Sequence, residues 1–337
     1  MSARKIFMLV FLLSSFLPVF SKDFIPNWFK DYRTVYPDSE YIAQRGIGDS
    51  PENAKTDAAG ALGRYFQTNV DSSIKTTMIS ETTDSKVNIT SSVIDEVKID
   101  SKVEFIGLEY TEPYYSKKEK KWYCVAFINR HNAWEQFKPQ IEECKHTFES
   151  QLQVAEKEAE LLTKLSIYKE VWNKGRDLNE KLEYGRILLP SEENKYESYR
   201  EMVAEIPVRF RDIKKQCSVY LEINDDYGRM IISAISTAFV NNGFQVAKQK
   251  NDSKYIVEIS INDNSSGDNP VSILPEVNIS VLSNNDKNNV SLYSYDKTAK
   301  EKTVSYTLEN AKKKAYSKLS SELETEVYES LNNSFSL

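Results

Sequence analysis

The spacing of apolar residues changes period several times along the chain. Tyr41, Ile42 and Ala43 read as the end of a strand, and Gly46 and Gly48 then permit a tight turn. Ser50 stands where a helix N-cap belongs, with Pro51 at the first helical position and Glu52 in the first turn. Ala54, Ala58, Ala61, Leu62 and Tyr65 recur at helical spacing, so a helix with one face of mostly small residues is expected through Val70. Val70, Ile74, Thr76 and Met78 approximate alternation and predict a long half-buried strand. Within Thr82 to Asp100, the residues Val93, Ile94 and Val97 fit a helix face. Val103 to Tyr110 and Lys121 to Arg130 read as two strands, joined in hairpin fashion through Glu112-Pro113 and a lysine run.

From Asn132 the period becomes helical. Trp134, Phe137, Ile141, Cys144, Phe148, Leu152, Ala155, Ala159 and Leu162 form a stripe that Ile167, Tyr168, Val171 and Trp172 continue. Gly175 opens a second helix over Leu178 to Leu189, which Pro190 stops. Ser191 starts a third, with Tyr196, Tyr199, Met202 and Val203 as its apolar side and an end near Pro207.

The last third starts afresh. Cys217 to Ile223 alternates as a strand, and Asn224 to Gly228 is a turn. Arg229 to Asn241 is a helix with Ile231, Ile235, Ala238 and Phe239 inward, ended by Gly243. Strands follow at Gly243 to Val246 and Tyr255 to Ile261, then a loop over Asn262 to Pro275. Val277 to Leu282 and Val290 to Tyr295 make a hairpin, and Thr303 to Tyr306 an edge strand. Thr307 caps a final helix through Leu308, Ala311, Ala315, Leu319, Leu323 and Val327.

The fold class expected is therefore α+β: two α+β modules, residues 22–131 and 213–337, joined by a helical hairpin or bundle at 132–212. Residues 1–21 read as an export signal. Arg4 and Lys5 are its basic start, Ile6 to Phe16 its apolar core, and Val19 and Ser21 acceptable cleavage positions. No later run is apolar enough for a transmembrane helix. A periplasmic or otherwise envelope-associated, exported protein is the expected localisation.

Charge narrows the partners. The formal net charge of −6 argues against nucleic acid, which calls for a basic face. The lysine runs Lys117 to Lys121 and Lys312 to Lys314 read as solvated faces. Three cysteines, Cys124, Cys144 and Cys217, are too few for a disulfide framework and read as small buried groups. The two histidines, His131 and His146, belong to no zinc spacing, so no metal and no cofactor is expected. Asp225-Asp226 lacks the alternating ligands of a calcium loop. No nucleophile elbow occurs, and no catalytic residue can be assigned.

The glycine segment is the best candidate for a ligand site. Arg45, Gly46, Gly48, Asp49 and Glu52 combine a Gly-rich approach to a helix N-terminus with charges for a small ionic cluster. Pro51 replaces the third glycine of a dinucleotide fingerprint, and the Lys-Ser/Thr of a P-loop is absent. Packing is therefore the favoured role.

Trp28-Phe29, Tyr41-Ile-Ala, Gly46-Ile-Gly48, Ser50-Pro-Glu-Asn-Ala54 and Ala58-Ala59, with the run Trp122 to Arg130, resemble the Lpp-twenty lipoprotein family of bacterial envelopes. The resemblance covers about the first third of the mature chain. It implies a strand, a glycine turn and an alanine-rich helix, and by analogy a place in an outer-membrane or flagellar assembly. The family's lipid-bearing cysteine has no counterpart near the expected cleavage point. The expected function is a non-catalytic one, exerted through contacts with other envelope proteins. A binding module for cell-wall glycan, with some of the 20 tyrosines as stacking surfaces, is the second reading. An unrecognised hydrolase is the third.

Overall fold

The computed structural model describes residues 25–84, 105–224, 229–284 and 290–337. The segment expected to be an export signal, the segment around Val93, Asp225-Asp226 and the tip of the last hairpin lie outside these residues. The fold is α+β, as expected. The chain divides into two compact units, Met1–Pro139 with Glu183–Ser191, and Gln140–Leu182 with Glu192–Leu337. The helical segment expected as a separate joint is shared between them.

The first unit is an antiparallel sheet with helices on both faces. Strand β1 (Tyr41–Gly48) pairs along its whole length with β4 (Lys121–Asn129), from Tyr41 opposite Asn129 to Gly48 opposite Trp122. On the far side of β4 lie β2 (Leu108–Tyr110) and β3 (Tyr114–Ser116). Two short helical turns, α1 (Asn27–Lys30) and α2 (Tyr32–Val35), form the aromatic lead-in. Phe29 packs with Ala43, Tyr123 and Val125, flanked by Trp28, Tyr32, Tyr36 and Phe127. Helix α3 (Pro51–Asp84) lies against the other face, burying Ala54, Ala58, Leu62 and Phe66.

Ser50 is the N-cap the sequence predicts, its Oγ accepting the Asn53 amide at 3.1 Å. Ser50→Ala should lower stability by about 1 kcal/mol, read as a shift in the unfolding midpoint. Three other expectations in this unit change. Gly46 and Gly48 are not in a turn; both are paired strand residues. Val70 to Met78 is not a strand but part of α3, which runs on to Asp84. Val70, Ile74 and Met78 are four apart, a helical interval, and neither glycine nor proline interrupts them. The strand expected from Val103 is described only as Leu108–Tyr110, preceded by Gly107 at φ 71°.

Helix α4 (Arg130–Lys157) follows β4 directly, and α5 is Leu161–Leu188. In the first unit, Tyr184 of α5 stacks on Phe66 at 4.7 Å and meets Phe137 at the same separation. Arg130 donates to the Ile187 and Leu188 carbonyls, a cation at the negative end of α5.

The second unit holds the rest of these helices, α6 (Glu197–Gln216) and a five-stranded mixed sheet. Its strands are β5 (Ser218–Ile223), β6 (Gln245–Val246), β7 (Tyr255–Asn262), β9 (Glu276–Ser283) and β10 (Ser291–Thr298), in the order β10-β9-β7-β5-β6. The β6-β5-β7 pairs are parallel and the β7-β9-β10 pairs antiparallel. Helices α7 (Met230–Asn241) and α8 (Leu308–Phe335) cover one face. In α8 an apolar residue recurs every fourth position from Ala311 to Phe335, and all seven are buried. Thr307 caps it, accepting the Asn310 amide at 3.3 Å, and Gly243 ends α7 at φ 90°; both were legible in sequence.

Four boundaries in this unit differ from expectation. The first long helix does not run on to Trp172 but breaks at 158–160, because Glu160 caps α5 by accepting the Thr163 amide at 2.6 Å. Gly175 does not begin a helix; it lies within α5, where a Cβ would stand 3.0 Å from Val203 and 3.2 Å from Phe148. Pro207 does not end α6, because Val203, Ile206, Phe210 and Ile213 are buried on both sides of it; a 3-10 segment, Pro190–Tyr196, precedes this helix. Thr303 to Ser305, β11, is not an edge of the main sheet. It pairs with β8 (Val271–Ile273), which lies inside the expected loop.

Candidate functional site

The glycine segment is filled by protein. Positions 44, 46 and 48 share the face of β1 turned toward α3, and a Cβ built on Gly46 would lie 2.2 Å from the Ala54 carbonyl oxygen and 2.2 Å from the Ala58 nitrogen. One on Gly48 would lie 2.4 Å from the Ala54 nitrogen. The helix sits on the strand backbone, so no phosphate-sized space exists above these glycines. The first amides of α3 are also engaged, Asn53 by Ser50 Oγ and Ala54 by the Ser50 carbonyl.

Nor do the charges form one cluster. Arg45 turns to the opposite face, its guanidinium 5.4 Å from the Phe29 ring centre and 5.2 Å from that of Tyr32. Asp49 pairs with Lys121. Glu52 is exposed in the first turn of α3. Asp57, which sequence reading passed over, accepts the Ile47 amide at 3.0 Å on the side of β1 away from β4. There it satisfies a strand donor that has no partner strand among the described residues.

What the glycines do leave accessible is a small aromatic platform. Trp122 lies opposite Gly48 on one side and Tyr115 on the other. The Tyr115 and Trp122 rings are 5.1 Å apart and tilted by 44°, and Tyr115 is 40% exposed. The Asp49–Lys121 ion pair flanks them. Tyr110, on the same face by its register with Ala126, is exposed beside Lys55. The alternation of Trp122 with the buried Tyr123 was the available sequence signal, but Tyr115 was hidden in what read as a connection.

In the second unit, a groove of about 1010 Å³ runs between α7, α8 and the β5–β6 corner. Arg229, Ser233, Thr237, Lys248, Ser320 and Ser321 are among its walls. Three of its hydroxyls are turned back on their own helices: Thr237 donates to the Ser233 carbonyl at 3.0 Å, and Ser320 and Ser321 to that of Ser317. Neither histidine lines it. The arrangement offers polar contacts without a nucleophile held against a base.

The titratable groups elsewhere serve the fold. Glu160 accepts the Tyr255 hydroxyl as well as the α5 amides, and burial with that carboxylate pushes the phenol upward. Lys297 bonds Glu326 at 2.7 Å, which draws that carboxylate down, and Tyr295 donates to Glu326 at 2.8 Å. The three cysteines are free thiols, all shifted upward by burial and so away from the reactive thiolate. Among the described residues, no three His, Cys, Asp or Glu side chains gather as a metal-holding group. No described helix is long and apolar enough to cross a membrane.

With the α+β class in place, comparison with known proteins adds structural likenesses only. No family model and no curated protein matches the chain. A secreted protein from the human pathogen Helicobacter pylori is similar over 85% of this chain and 97% of its own, at 13% identity and a TM-score of 0.33. A minor lipoprotein from Acinetobacter baumannii is similar over 34% of this chain and 94% of its own, at 12% identity and a TM-score of 0.24. The PelC dodecamer from Paraburkholderia phytofirmans is similar over 33% of this chain and 89% of its own, at 12% identity and a TM-score of 0.22.

Proposed function

We propose that this chain is an exported, non-catalytic protein of the bacterial cell envelope, of Lpp-twenty type in its first unit, that works by binding other envelope proteins. The observation that carries the reading is the Tyr115–Trp122 platform with the Asp49–Lys121 pair at its rim. Aromatic anchors beside a charged rim are the usual make-up of a protein-binding hot spot. The leader pattern of Arg4, Lys5 and Ile6 to Phe16 supports export. The second reading, a glycan-binding module, draws on the same rings, which could stack on a sugar.

A photo-crosslinking residue at position 115 tests both. In intact cells it should yield an adduct with another envelope protein, and Trp122→Ala should weaken that adduct about tenfold, the effect of losing a hot-spot aromatic. Recovery of the chain alone under several crosslinking chemistries would remove the protein-contact reading. Retention on purified cell wall that Trp122→Ala abolishes, without any protein adduct, would put the glycan reading in its place.

A further inference from the structure

Val304, Tyr306 and Leu308 follow one another at alternate positions where β11 leads into α8. They are 52%, 83% and 45% exposed. The alternation is real at its start, since Thr303 is 7% exposed and holds the inward side. Tyr306 is the most exposed of the large apolar side chains described. A chain that buries Tyr255, Tyr293 and Tyr316 has thus left one tyrosine almost wholly in water between two aliphatic neighbours.

The charge around this trio is opposite to that of the chain. Lys302, Lys313 and Lys314 are exposed beside it in sequence, against the exposed Glu301 and Glu309. Lys312 is engaged by Asp263 at 2.7 Å and Lys300 by Glu326 at 3.9 Å, and both are left out of the reckoning. The whole protein carries a formal −6. A local cationic excess around exposed apolar side chains, in an acidic protein, is complementary to an anionic lipid surface. Tyrosine belongs at the headgroup level, with its ring in the acyl boundary and its hydroxyl in water.

We infer that the Lys300–Lys314 segment docks this protein onto the surface of a bilayer containing anionic lipid. The contact is peripheral, with Val304, Tyr306 and Leu308 entering the headgroup region and Lys302, Lys313 and Lys314 meeting lipid phosphates. The attraction is modest and reversible, because neither a short apolar segment nor a few cations holds a protein firmly alone. This inference does not rest on the aromatic platform, which belongs to the other unit.

Co-sedimentation of the full chain with two kinds of vesicle tests it: phosphatidylcholine alone, and phosphatidylcholine mixed with phosphatidylglycerol. Binding should require phosphatidylglycerol and weaken in high salt. Lys302→Gln and Lys313→Gln should each reduce partitioning roughly fivefold, the equivalent of ~1 kcal/mol per cation near an anionic surface. Tyr306→Ser should reduce it about tenfold with an unchanged melting temperature, since a side chain this exposed contributes little to the fold. The inference is overturned if phosphatidylglycerol vesicles bind no protein, if neutral vesicles bind equally, or if Tyr306→Ser binds as tightly as the parent. It is also overturned if light scattering finds a dimer that Tyr306→Ser converts to monomer while vesicle binding persists, for then a second copy covers the trio.

Discussion

Gly46→Ala should destabilise the first unit by about 4 kcal/mol, at the severe end of single substitutions. The added Cβ would stand 2.2 Å from Ala54 O, 2.2 Å from Ala58 N and 2.7 Å from Ala58 Cα. All three are backbone atoms, so no side-chain rotation relieves the overlap. Helix α3 must lift from β1, and Ala54, Ala58 and Leu62, each wholly buried, lose their contacts with the sheet together. Gly60→Ala is the control. It lies in the same helix, and its nearest neighbour would be the flexible end of Arg64 at 3.5 Å. There the higher helix propensity of alanine should add about 0.5–1 kcal/mol of stability. Denaturant unfolding followed by tryptophan fluorescence reports mainly on this unit, because Trp28, Trp122 and Trp134 lie in it and only Trp172 in the other. Equal midpoints for the parent and Gly46→Ala would show that the helix does not rest on the strand backbone.

The same glycines show how far the sequence could be read. Their presence ahead of a capped, alanine-rich helix marked a strand-to-helix unit, and Ser50, Ala54, Ala58 and Leu62 all take the parts expected of them. The reason for the glycines did not follow, because a residue without a side chain serves equally for a turn and for a close approach. Only the partner across the contact distinguishes the two, and that partner is tertiary. Gly175 repeats the lesson: it reads as a boundary locally, yet it makes room for Val203 and Phe148. Pro207 is the converse, a local helix breaker overridden by buried residues on either side.

Period alone misled at Val70 to Met78, where a four-residue interval with a threonine between passed for alternation. Glu160 was missed because glutamate is not among the favoured N-caps, and its second partner, Tyr255, is far along the chain. The candidate site was legible in part. Arg45, Asp49 and Glu52 are close in sequence, but the pleat of β1 sends Arg45 to the face opposite α3, onto Phe29 and Tyr32. The partner of Asp49, Lys121, comes from a distant strand. Short-range charge patterns cannot foresee either outcome, since the face of a strand residue is fixed only when the sheet assembles.

Lys214 should give the wild-type chain a rise in stability between pH 7 and pH 9 that Lys214→Met lacks. The side chain is buried at the end of α6, between the Phe210 and Phe244 rings, and its ammonium donates to the Phe335 carbonyl at 2.6 Å. It thus holds the last turn of α8 from 121 positions away. Among the described residues no carboxylate is paired with it, and burial pulls its pKa down from 10.5 to about 8. The charged form therefore costs the folded state roughly 3 kcal/mol at neutral pH. Because the folded pKa lies below the unfolded one, the unfolded chain binds more protons between these values. Stability accordingly rises with pH in that window, by about 1 kcal/mol from pH 7 to pH 9. Cys217 is the neighbouring titratable group, and burial pushes it up to about 12. That shift acts with the opposite sign, lowering stability once pH exceeds the ordinary thiol range, but it is present in both proteins and largely cancels in their difference. Methionine matches the length of the buried stem and removes the desolvated charge, while leaving the Phe335 carbonyl without its donor. Denaturant midpoints of the two proteins at pH 7 and pH 9, converted to free energies, should converge or cross in favour of the wild type at the higher pH. A difference that stays constant across the two would mean that Lys214 keeps an ordinary pKa and that its ammonium is hydrated at the end of α8.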